Sequence, residues 1–248
     1  MMVEERRYRE LFKSRDLVNF RISQKETDIY VAVDGKEKEK IKSIIAKTEK
    51  LVGDYRRDIE NYIKNYPIFE VSFKPVAVDS DAPEIIKQMA GAALLADVGP
   101  FASVAGAIAG AVGSKLSEGI SDVIIENGGD VFIKTSKIRK VGIYYGADEI
   151  STGIGLEIHA ADGPLGICAS SGTCGHSFSF GRADVAVAIS HSTALADACA
   201  TAMGNLVKES RDIDKAINFA KGIEGIKGVI IVKGDKFGFW GDLRVIKI

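Results

Sequence analysis

The sequence predicts an α+β fold, with a largely antiparallel sheet backed by paired helices. Strand-like runs come in groups separated by short turns, which is typical of hairpins in antiparallel sheets. Helical runs also come in pairs, so strands and helices do not alternate singly as they do in a Rossmann fold. No GxGxxG motif follows a strand-like run, so the sequence lacks the glycine-rich signature of that class of dinucleotide-binding domain.

Composition bounds the class of protein. The chain has 248 residues, of which 46% are hydrophobic and 27% charged, with a formal net charge of −1. This is the make-up of a globular domain, and the balanced charge without a lysine- and arginine-rich block predicts no nucleic-acid partner. The opening MMVEERRYRE carries no apolar leader, so a cytoplasmic location is expected. Three cysteines make no disulfide framework, and in such a compartment we expect them to be thiols.

The first third of the chain predicts a hairpin, two helices and a strand. Residues 19–34 alternate apolar and polar on either side of the polar QKET, which indicates a β-hairpin. The run KEKEKIKSIIAKTEKLV places its isoleucines on one stripe and predicts a helix with a solvated face. DYRRDIENYIKNY predicts a second helix that stops before Pro67, and FEVSFKPVAV alternates as another strand. Pro83 then opens a further helix, a position that suits proline.

Residues 89–112 form the most apolar stretch, and they contain a GxxxG step from Gly106 to Gly110. A membrane span is not predicted, because Asp97 and the Gly99-Pro100 break divide the stretch into runs shorter than the ~20 residues that a bilayer needs. The expected structure is a buried helix whose small residues allow close backbone contact. A second interpretation stays open, in which Gly99 and Ser103 belong to a helix N-terminus that holds a phosphate.

The rest of the chain predicts further hairpins and two helices. DVIIENGGDVFIKT places Asn127, Gly128, Gly129 and Asp130 in a tight turn, since these residue types tolerate positive φ angles. Three strand-like runs follow, VGIYYG, GIGLEIHA and PLGICASSG, and a closing hairpin comes from GVIIVKGD and FGFWGDLRVIKI. Helices are expected from about residue 193 to 208 and from about 213 to 221.

Residues 163–205 hold most of the side chains able to do chemistry, and we take them as the site region. They include a serine-glycine turn at Ser170, Ser171 and Gly172 and a helical pair, Asp197 and Thr201. The region also contains every cysteine of the chain and two of its three histidines, namely Cys168, Cys174, Cys199, His176 and His191.

Five motifs in this order carry a resemblance to a known family: VGPFASVAGAIA, ENGGDVFI, ASSG, DVAVAIS and STALADACATAMGN. Together they resemble the ApbE-like superfamily, and within it a short, uncharacterised-protein-family branch rather than the FAD:protein FMN transferases. The resemblance covers about residues 20–245 and implies a T-fold-like (ApbE-like) α+β architecture. It implies a single domain over residues 1–248, with residues 1–18 as an N-terminal extension. Homodimers or higher homo-oligomers are expected by analogy.

The resemblance also implies a site for a flavin nucleotide, FAD or FMN, together with Mg²⁺. Asp197 and Thr201 match the metal ligands of the transferases. Residues i and i+4 lie on one face of a helix, and a carboxylate and a hydroxyl are hard oxygen donors of the kind that Mg²⁺ prefers. A backbone carbonyl of the turn from Gly99 to Ser103 is expected near the metal. The residues assigned to the small-molecule ligand are Gly99, Ser103, Asn127, Gly128, Gly129, Asp130 and Gly172.

Each of these assignments has a structural alternative. Asp197 suits a first-turn carboxylate that stabilises its own helix dipole, and Thr201 suits a buried threonine bonded to a backbone carbonyl. The NGGD turn is equally consistent with a plain hairpin.

The chain departs from the transferase pattern after the serine-glycine turn. GTCGHSFSFGRAD is shorter there and lacks the D-P-x-T-G segment. Cys174 beside a glycine and near His176 suggests a low-pKa thiolate, with His176 as base and Ser171 or the Gly172 amide as an anion contact. A zinc site made by Cys168, Cys174 and His176 fits no standard spacing.

Three functions therefore stay open. The first is a protein that binds a flavin- or nucleotide-like phosphate with a divalent metal. The second is a thiol- or persulfide-dependent protein that uses Cys174, and the third is a non-catalytic module that assembles through its glycine-rich helix.

Overall fold

The computed structural model describes residues 14–144, 153–172 and 181–248 of the chain. The strands run in the order β1 (Leu17–Gln24), β2 (Thr27–Asp34), β3 (Val123–Asn127), β4 (Asp130–Lys134), β5 (Arg139–Ile143), β6 (Ile154–Ile158), β7 (Leu165–Ser170), β8 (Val185–Ser190), β9 (Ile226–Lys233), β10 (Lys236–Gly241) and β11 (Val245–Ile246). The helices are α1 (Ile41–Asn65), α2 (Ile68–Val71), α3 (Glu84–Ala96), α4 (Val104–Ser117), α5 (Thr193–Leu206) and α6 (Ile213–Lys221).

A large antiparallel sheet organises the molecule. Its eight strands lie in the order β1-β2-β3-β4-β7-β8-β9-β10, and each neighbouring pair is antiparallel. The hairpin predicted around QKET is present as β1 and β2, and the NGGD turn joins β3 to β4 as predicted. The predicted α+β class with a largely antiparallel sheet is therefore confirmed.

The two faces of the sheet are covered by different layers. One face packs against the helices in a continuous apolar core, which includes residues of α1, α3, α4, α5 and α6. The other face packs against a small sheet with the strand order β11-β6-β5, and this contact forms a second core. Alternation along each strand explains the division, since successive side chains point to opposite faces. In β4, Phe132 belongs to the helical core, whereas Val131 and Ile133 belong to the second.

Small side chains bring α5 close to the sheet. On β8, Ala186 and Ala188 point to the helices, while Val185 and Val187 point away. The adjacent β7 presents Gly166, whose missing Cβ leaves room for the backbone of α5 at Thr193. The alanine-rich sequence of α5 is therefore explained by its burial against the centre of the sheet.

Two sequence predictions in the first third were wrong. The two helices predicted on either side of Gly53 form one continuous helix, α1, because the apolar stripe carries on through the glycine. The strand predicted at FEVSFKPVAV is absent from the described structure, where residues 68–71 form α2 and an irregular segment follows. Pro67 favours this helical start, and Phe69 becomes fully buried with its ring 5.1 Å from that of Tyr62.

The apolar stretch of residues 89–112 belongs to two helices that meet at a sharp bend. Asp97 adopts a left-handed conformation with φ of 52° and ends α3. Within the described residues, no single helix combines the length and apolar character needed to cross a bilayer; α3 and residues 100–117 pass only as a pair bent by 103°.

Helices α4 and α5 touch through glycine. A Cβ atom placed on Gly106 would lie 2.6 Å from both the Cβ of Asp197 and the carbonyl oxygen of Thr193. One turn later, a Cβ on Gly110 would lie 3.1 Å from the Thr193 side chain. The predicted close contact through the GxxxG step is confirmed, and its partner is the first half of α5.

We expect Gly106→Ala to lower the free energy of unfolding by about 1–3 kcal/mol, because the new methyl group meets backbone and Cβ atoms that have no room to move. The matched control is Gly91→Ala, at an exposed position of α3 with no atom within 4 Å of the new Cβ. That change should stabilise the helix by about 0.5–1 kcal/mol. Urea unfolding of both variants tests this, and equal effects would contradict the tight contact.

Candidate functional site

The N-terminus of α4 meets the carboxylate of Asp197. The amide of Gly106, the third residue of the helix, donates to Oδ2 of Asp197 over 2.8 Å. Free amides and the positive end of the helix dipole favour an anion at this position. The helix end that the sequence predicted as a phosphate site therefore holds the carboxylate of α5.

The NGGD turn is fastened to the same helix end. Gly128 and Gly129 have φ angles of 69° and 103°, which closes the turn between Asn127 and Asp130. Nδ2 of Asn127 donates to the carbonyl of Ala105 over 3.1 Å. The turn and Asp197 are thus held by successive residues of α4, which brings three predicted site residues, Asn127, Asp130 and Asp197, to one place.

Asp130 is a buried carboxylate with an unsatisfied oxygen. Its side chain is 5% exposed, and among the described residues its Oδ1 has no hydrogen-bond partner. Asp122, which is 1% exposed, is a useful contrast because it accepts hydrogen bonds from Thr135, Ser136 and Arg139. Buried polar atoms are nearly always paired, so the free oxygen of Asp130 requires an explanation.

Both carboxylates of the site have raised pKa values. Burial raises the pKa of Asp130 well above its usual range, and the charge of Asp197 raises it further. Burial also raises the pKa of Asp197 to about 7, against the opposing effect of the Gly106 amide. At Asp122 the hydrogen bonds from Ser136, Thr135 and Arg139 outweigh burial, so its pKa is lowered instead.

Cys168 lies between Asp130 and α5. Its Sγ donates to the carbonyl of Thr193 over 3.4 Å and interacts with the Asp130 carboxyl. Burial, followed by the charges of Asp130 and Asp197, raises the pKa of this thiol well above its usual range. Burial likewise raises the pKa of Cys199 to about 12. Both thiols are therefore neutral core groups and not nucleophiles.

The turn before α4, from Gly99 to Ser103, is tightly packed. Gly99 lies directly against the backbone of Ser72, with no space for a Cβ atom. Ser103 is fully buried, and its hydroxyl donates to the carbonyl of Pro100 over 2.8 Å. The Ser103 hydroxyl, predicted to lie at a phosphate site, is therefore already hydrogen-bonded within the turn.

The remaining predicted residues are spread around the site. Thr201 is half-buried and lies one turn after Asp197 on α5. Gly129 donates its amide to Oε1 of Glu126 over 2.9 Å, and Gly172 donates its amide to the carbonyl of Ala183 over 2.9 Å. These two amides, expected to face a ligand, are thus already bonded.

Part of the predicted thiol site cannot be placed. Cys174 and His176 lie outside the described residues. Ser171, the third member of that site, is half-buried at the end of β7. His191, the other histidine of the site region, is exposed, and its Nδ1 lies 2.8 Å from the carbonyl of Pro164.

The N-terminus of α4 contacts the first half of α5 where Gly106 meets Asp197 and Thr193, and we call this contact the joint. A cleft of about 520 Å³ opens beside it. Gly106 and Thr193 line both the cleft and the joint, and Phe132 of β4 also lines the cleft. The first amides of α5 have no partner within the helix, and Oγ1 of Thr193 is a second buried atom with no partner among the described residues. The volume lies within the range of small-molecule sites, about 300–1,000 Å³.

The donors present suit Mg²⁺ bound together with a ligand. Among the described residues, no group of three or more His, Cys, Asp or Glu side chains forms a metal cage. Mg²⁺ seldom uses such a cage, since it takes one or two carboxylates and completes its shell with water and ligand phosphates. Asp197, the free oxygen of Asp130 and the hydroxyl of Thr201 are hard oxygen donors of this kind.

Sequence reasoning missed three contributors to this site. Gly106 was predicted to allow close packing, but its hydrogen bond to Asp197 was not foreseen. Cys168 and Thr193 had been assigned to a strand and to a helix start. Their meeting with Asp130 and Asp197 depends on strand order, for which the local sequence carries no signal.

The sequence of the chain is similar to one known family model and to several related proteins. The model of the family described as AbpE bacteria matches residues 9–235. A UPF0280 protein of Methanococcus aeolicus is 40% identical over 232 residues, which are 92% of this chain and 91% of the relative. A UPF0280 protein of Methanocaldococcus jannaschii is 39% identical over 228 residues, 90% of each chain.

Comparison with solved structures finds the same fold. The flavin transferase ApbE from Vibrio cholerae matches with a TM-score of 0.57 and 14% identity, over 90% of this chain and 96% of that one. The ApbE protein from Thermotoga maritima matches with a TM-score of 0.58 and 12% identity, with the same coverage. At this identity the likeness establishes an ApbE-like fold.

The buried carboxylates predict a pH dependence of stability. We compare the metal-free wild type with Asp197→Asn, whose amide oxygen can still accept from Gly106. Below pH 3.8 Asp197 is protonated whether folded or unfolded; as the pH rises to about 7, only the unfolded chain gives up the proton. The stability of the wild type relative to the variant should therefore fall across this window, by about 4 kcal/mol.

Urea unfolding at pH 4, 5.5 and 7 measures this difference. A difference between wild type and Asp197→Asn that stays constant with pH would show that Asp197 is ionised at no cost in the folded protein.

Proposed function

The chain belongs to the family described as AbpE bacteria, and on this premise we propose that it binds a phosphate-bearing small molecule of the flavin or nucleotide class together with a divalent metal. The observation that carries the proposal is the joint at the N-terminus of α4. There Asp197 is fixed by the Gly106 amide, and a second buried carboxylate keeps an oxygen free. Buried carboxylates without compensating cations are typical of metal and ligand sites.

Each residue of the joint has a proposed role. Asp197 and Thr201 hold the metal from one face of α5, and Mg²⁺ is the proposed ion because the donors are hard oxygens. The Gly106 amide orients the Asp197 carboxylate and leaves its second oxygen for the metal. When bound, the cation would neutralise the charge of a ligand phosphate.

The adjoining cleft is the proposed place for the organic part of the ligand. Its walls combine apolar surface from Ile85 and Phe132 with polar groups at the start of α5. Clefts with a largely apolar lining and a few convergent polar groups are typical of small-molecule sites. Flavin is the first choice of ligand, since two structural neighbours are flavin or flavinyl transferases. The missing D-P-x-T-G segment keeps the proposal to binding rather than to flavin transfer.

The thiol alternative gains no support from the described cysteines. Cys168 and Cys199 are fully buried with raised pKa values. A reaction at Cys174, with or without His176, stays a prediction from the sequence.

Two further properties are proposals by analogy. We propose a homodimer in the cytoplasm, in keeping with the expectation from the sequence. Sedimentation of the purified full chain tests the first, and localisation in cells tests the second.

Titration of FAD into metal-free protein, with and without Mg²⁺, tests the proposed function. We expect binding that needs Mg²⁺ and that falls at least about tenfold in Asp197→Asn and in Thr201→Val, because each loses a metal ligand. Isothermal titration calorimetry on folded samples of each variant measures the affinity for FAD.

Asp184→Asn is the matched control, because this aspartate is partly buried just before β8, pairs with Lys233 and has no proposed role in binding the metal or the ligand. Its affinity should equal that of the wild type. Failure of the wild type to bind FAD, FMN or ADP in the presence of Mg²⁺ or Mn²⁺ would refute the proposed function.

A further inference from the structure

Asp130 occupies a position where a hairpin needs no carboxylate. The turn is closed by the positive φ angles of Gly128 and Gly129, and β4 pairs with β3 through backbone groups. The Asp130 side chain points to the helical layer, on the same face of β4 as Phe132. Its burial therefore contributes nothing that an apolar residue would not supply.

Burial of this carboxylate is also costly as it stands. Oδ1 has no partner among the described residues, and neither Asp130 nor Asp197 forms an ion pair there. After burial, the charge of Asp197 is what raises the pKa of Asp130 most, and among the described residues no lysine or arginine is a main cause that lowers this pKa. An unpaired buried carboxylate beside another costs several kcal/mol unless a cation or proton compensates it.

Two separate chains of contacts bring Asp130 to Asp197. Through the turn, Asn127 bonds to Ala105, and the next residue of α4, Gly106, bonds to Asp197. Through β7, the Cys168 thiol touches the Asp130 carboxyl and donates to the carbonyl of Thr193, one turn before Asp197 on α5. The two carboxylates are therefore held at the same place in the fold, near enough for the charge of Asp197 to raise the pKa of Asp130.

We propose that Asp130 is a second carboxylate ligand of the divalent cation beside Asp197, with its unpartnered Oδ1 as the donor. The inference rests on the proposed function, because it adds a ligand to the same site. Two carboxylates with water and phosphate oxygens make a complete shell for Mg²⁺ or Mn²⁺.

Calorimetric titration of metal-free full-length protein with Mn²⁺ tests this ligand. We expect Asp130→Asn to weaken Mn²⁺ binding at least about tenfold, the loss that even an outer partner of a metal ligand produces. The melting temperature without metal should stay equal or rise, since the amide removes a buried ionisable group next to Asp197. A purely structural role for Asp130 predicts the reverse, a lower melting temperature with unchanged affinity.

Asp122→Asn is the matched control because it changes another buried aspartate, one whose oxygens are hydrogen-bonded by Thr135 and Ser136. It should lower the melting temperature and leave the affinity for Mn²⁺ unchanged. Wild-type affinity in Asp130→Asn, together with lost affinity in Asp197→Asn, would overturn the role of Asp130 and leave the proposed function standing. Absence of Mn²⁺ and Mg²⁺ binding by the wild type would overturn both.

A second measurement covers the case in which Asp130→Asn does not fold. In the wild-type protein, substoichiometric Mn²⁺ should broaden the carboxyl ¹³C resonance of Asp130 and leave that of Asp122 sharp. Equal broadening of the two resonances, or broadening of neither, would overturn the assignment.

Discussion

The hydrogen bond from the Gly106 amide to Asp197 is the contact on which the rest of the site depends. It requires α4 and α5 to approach until a glycine is the residue that fits between them, and it places a carboxylate on a helix N-terminus. That approach in turn requires α5 to lie flat on the sheet, over the small residues of β7 and β8. The alanine- and glycine-rich sequences of the two helices follow from this one geometric demand.

The protein carries two kinds of buried aspartate, which differ in how well their oxygens are hydrogen-bonded. Asp122 is surrounded by hydroxyls, an amide and Arg139, so its charge is stabilised inside the fold. Among the described residues, Asp130 has only the Cys168 thiol and a backbone hydrogen bond at Ala169, and Asp197 has the Gly106 amide, so burial raises the pKa of both and the charge of Asp197 raises that of Asp130 further. The unfavourable burial of Asp130 and Asp197 is tolerated because the surrounding core stabilises the fold by more than this burial costs. In this chain Asp197 belongs to the joint that lies beside the cleft, and Asp130 lies next to it.

Local patterns predicted most of the fold but less of the site. The hairpins follow from alternation and from turn residues that accept positive φ angles, and both are short-range properties. The strand prediction for the segment at Phe69 was wrong, because of its alternating apolar residues only Phe69 is buried, against Tyr62 of α1, while Val71 and Phe73 are exposed. Asp197 was predicted as a site residue from its motif. Its contact with Gly106, and the approach of Cys168 to Asp130, join residues far apart in sequence, so they emerge only once the strand order is known.

Anomalous diffraction from crystals grown with Mn²⁺ and pyrophosphate would test the central claim most directly. The claim is that the joint between the N-terminus of α4, Asp197 and Asp130 binds a divalent cation together with a phosphate. We expect a manganese peak between the carboxylates of Asp130 and Asp197, with pyrophosphate oxygens completing the coordination shell of the ion. Manganese found only at surface carboxylates, with Asp197 bonded to Gly106 and no ion beside it, would contradict the account.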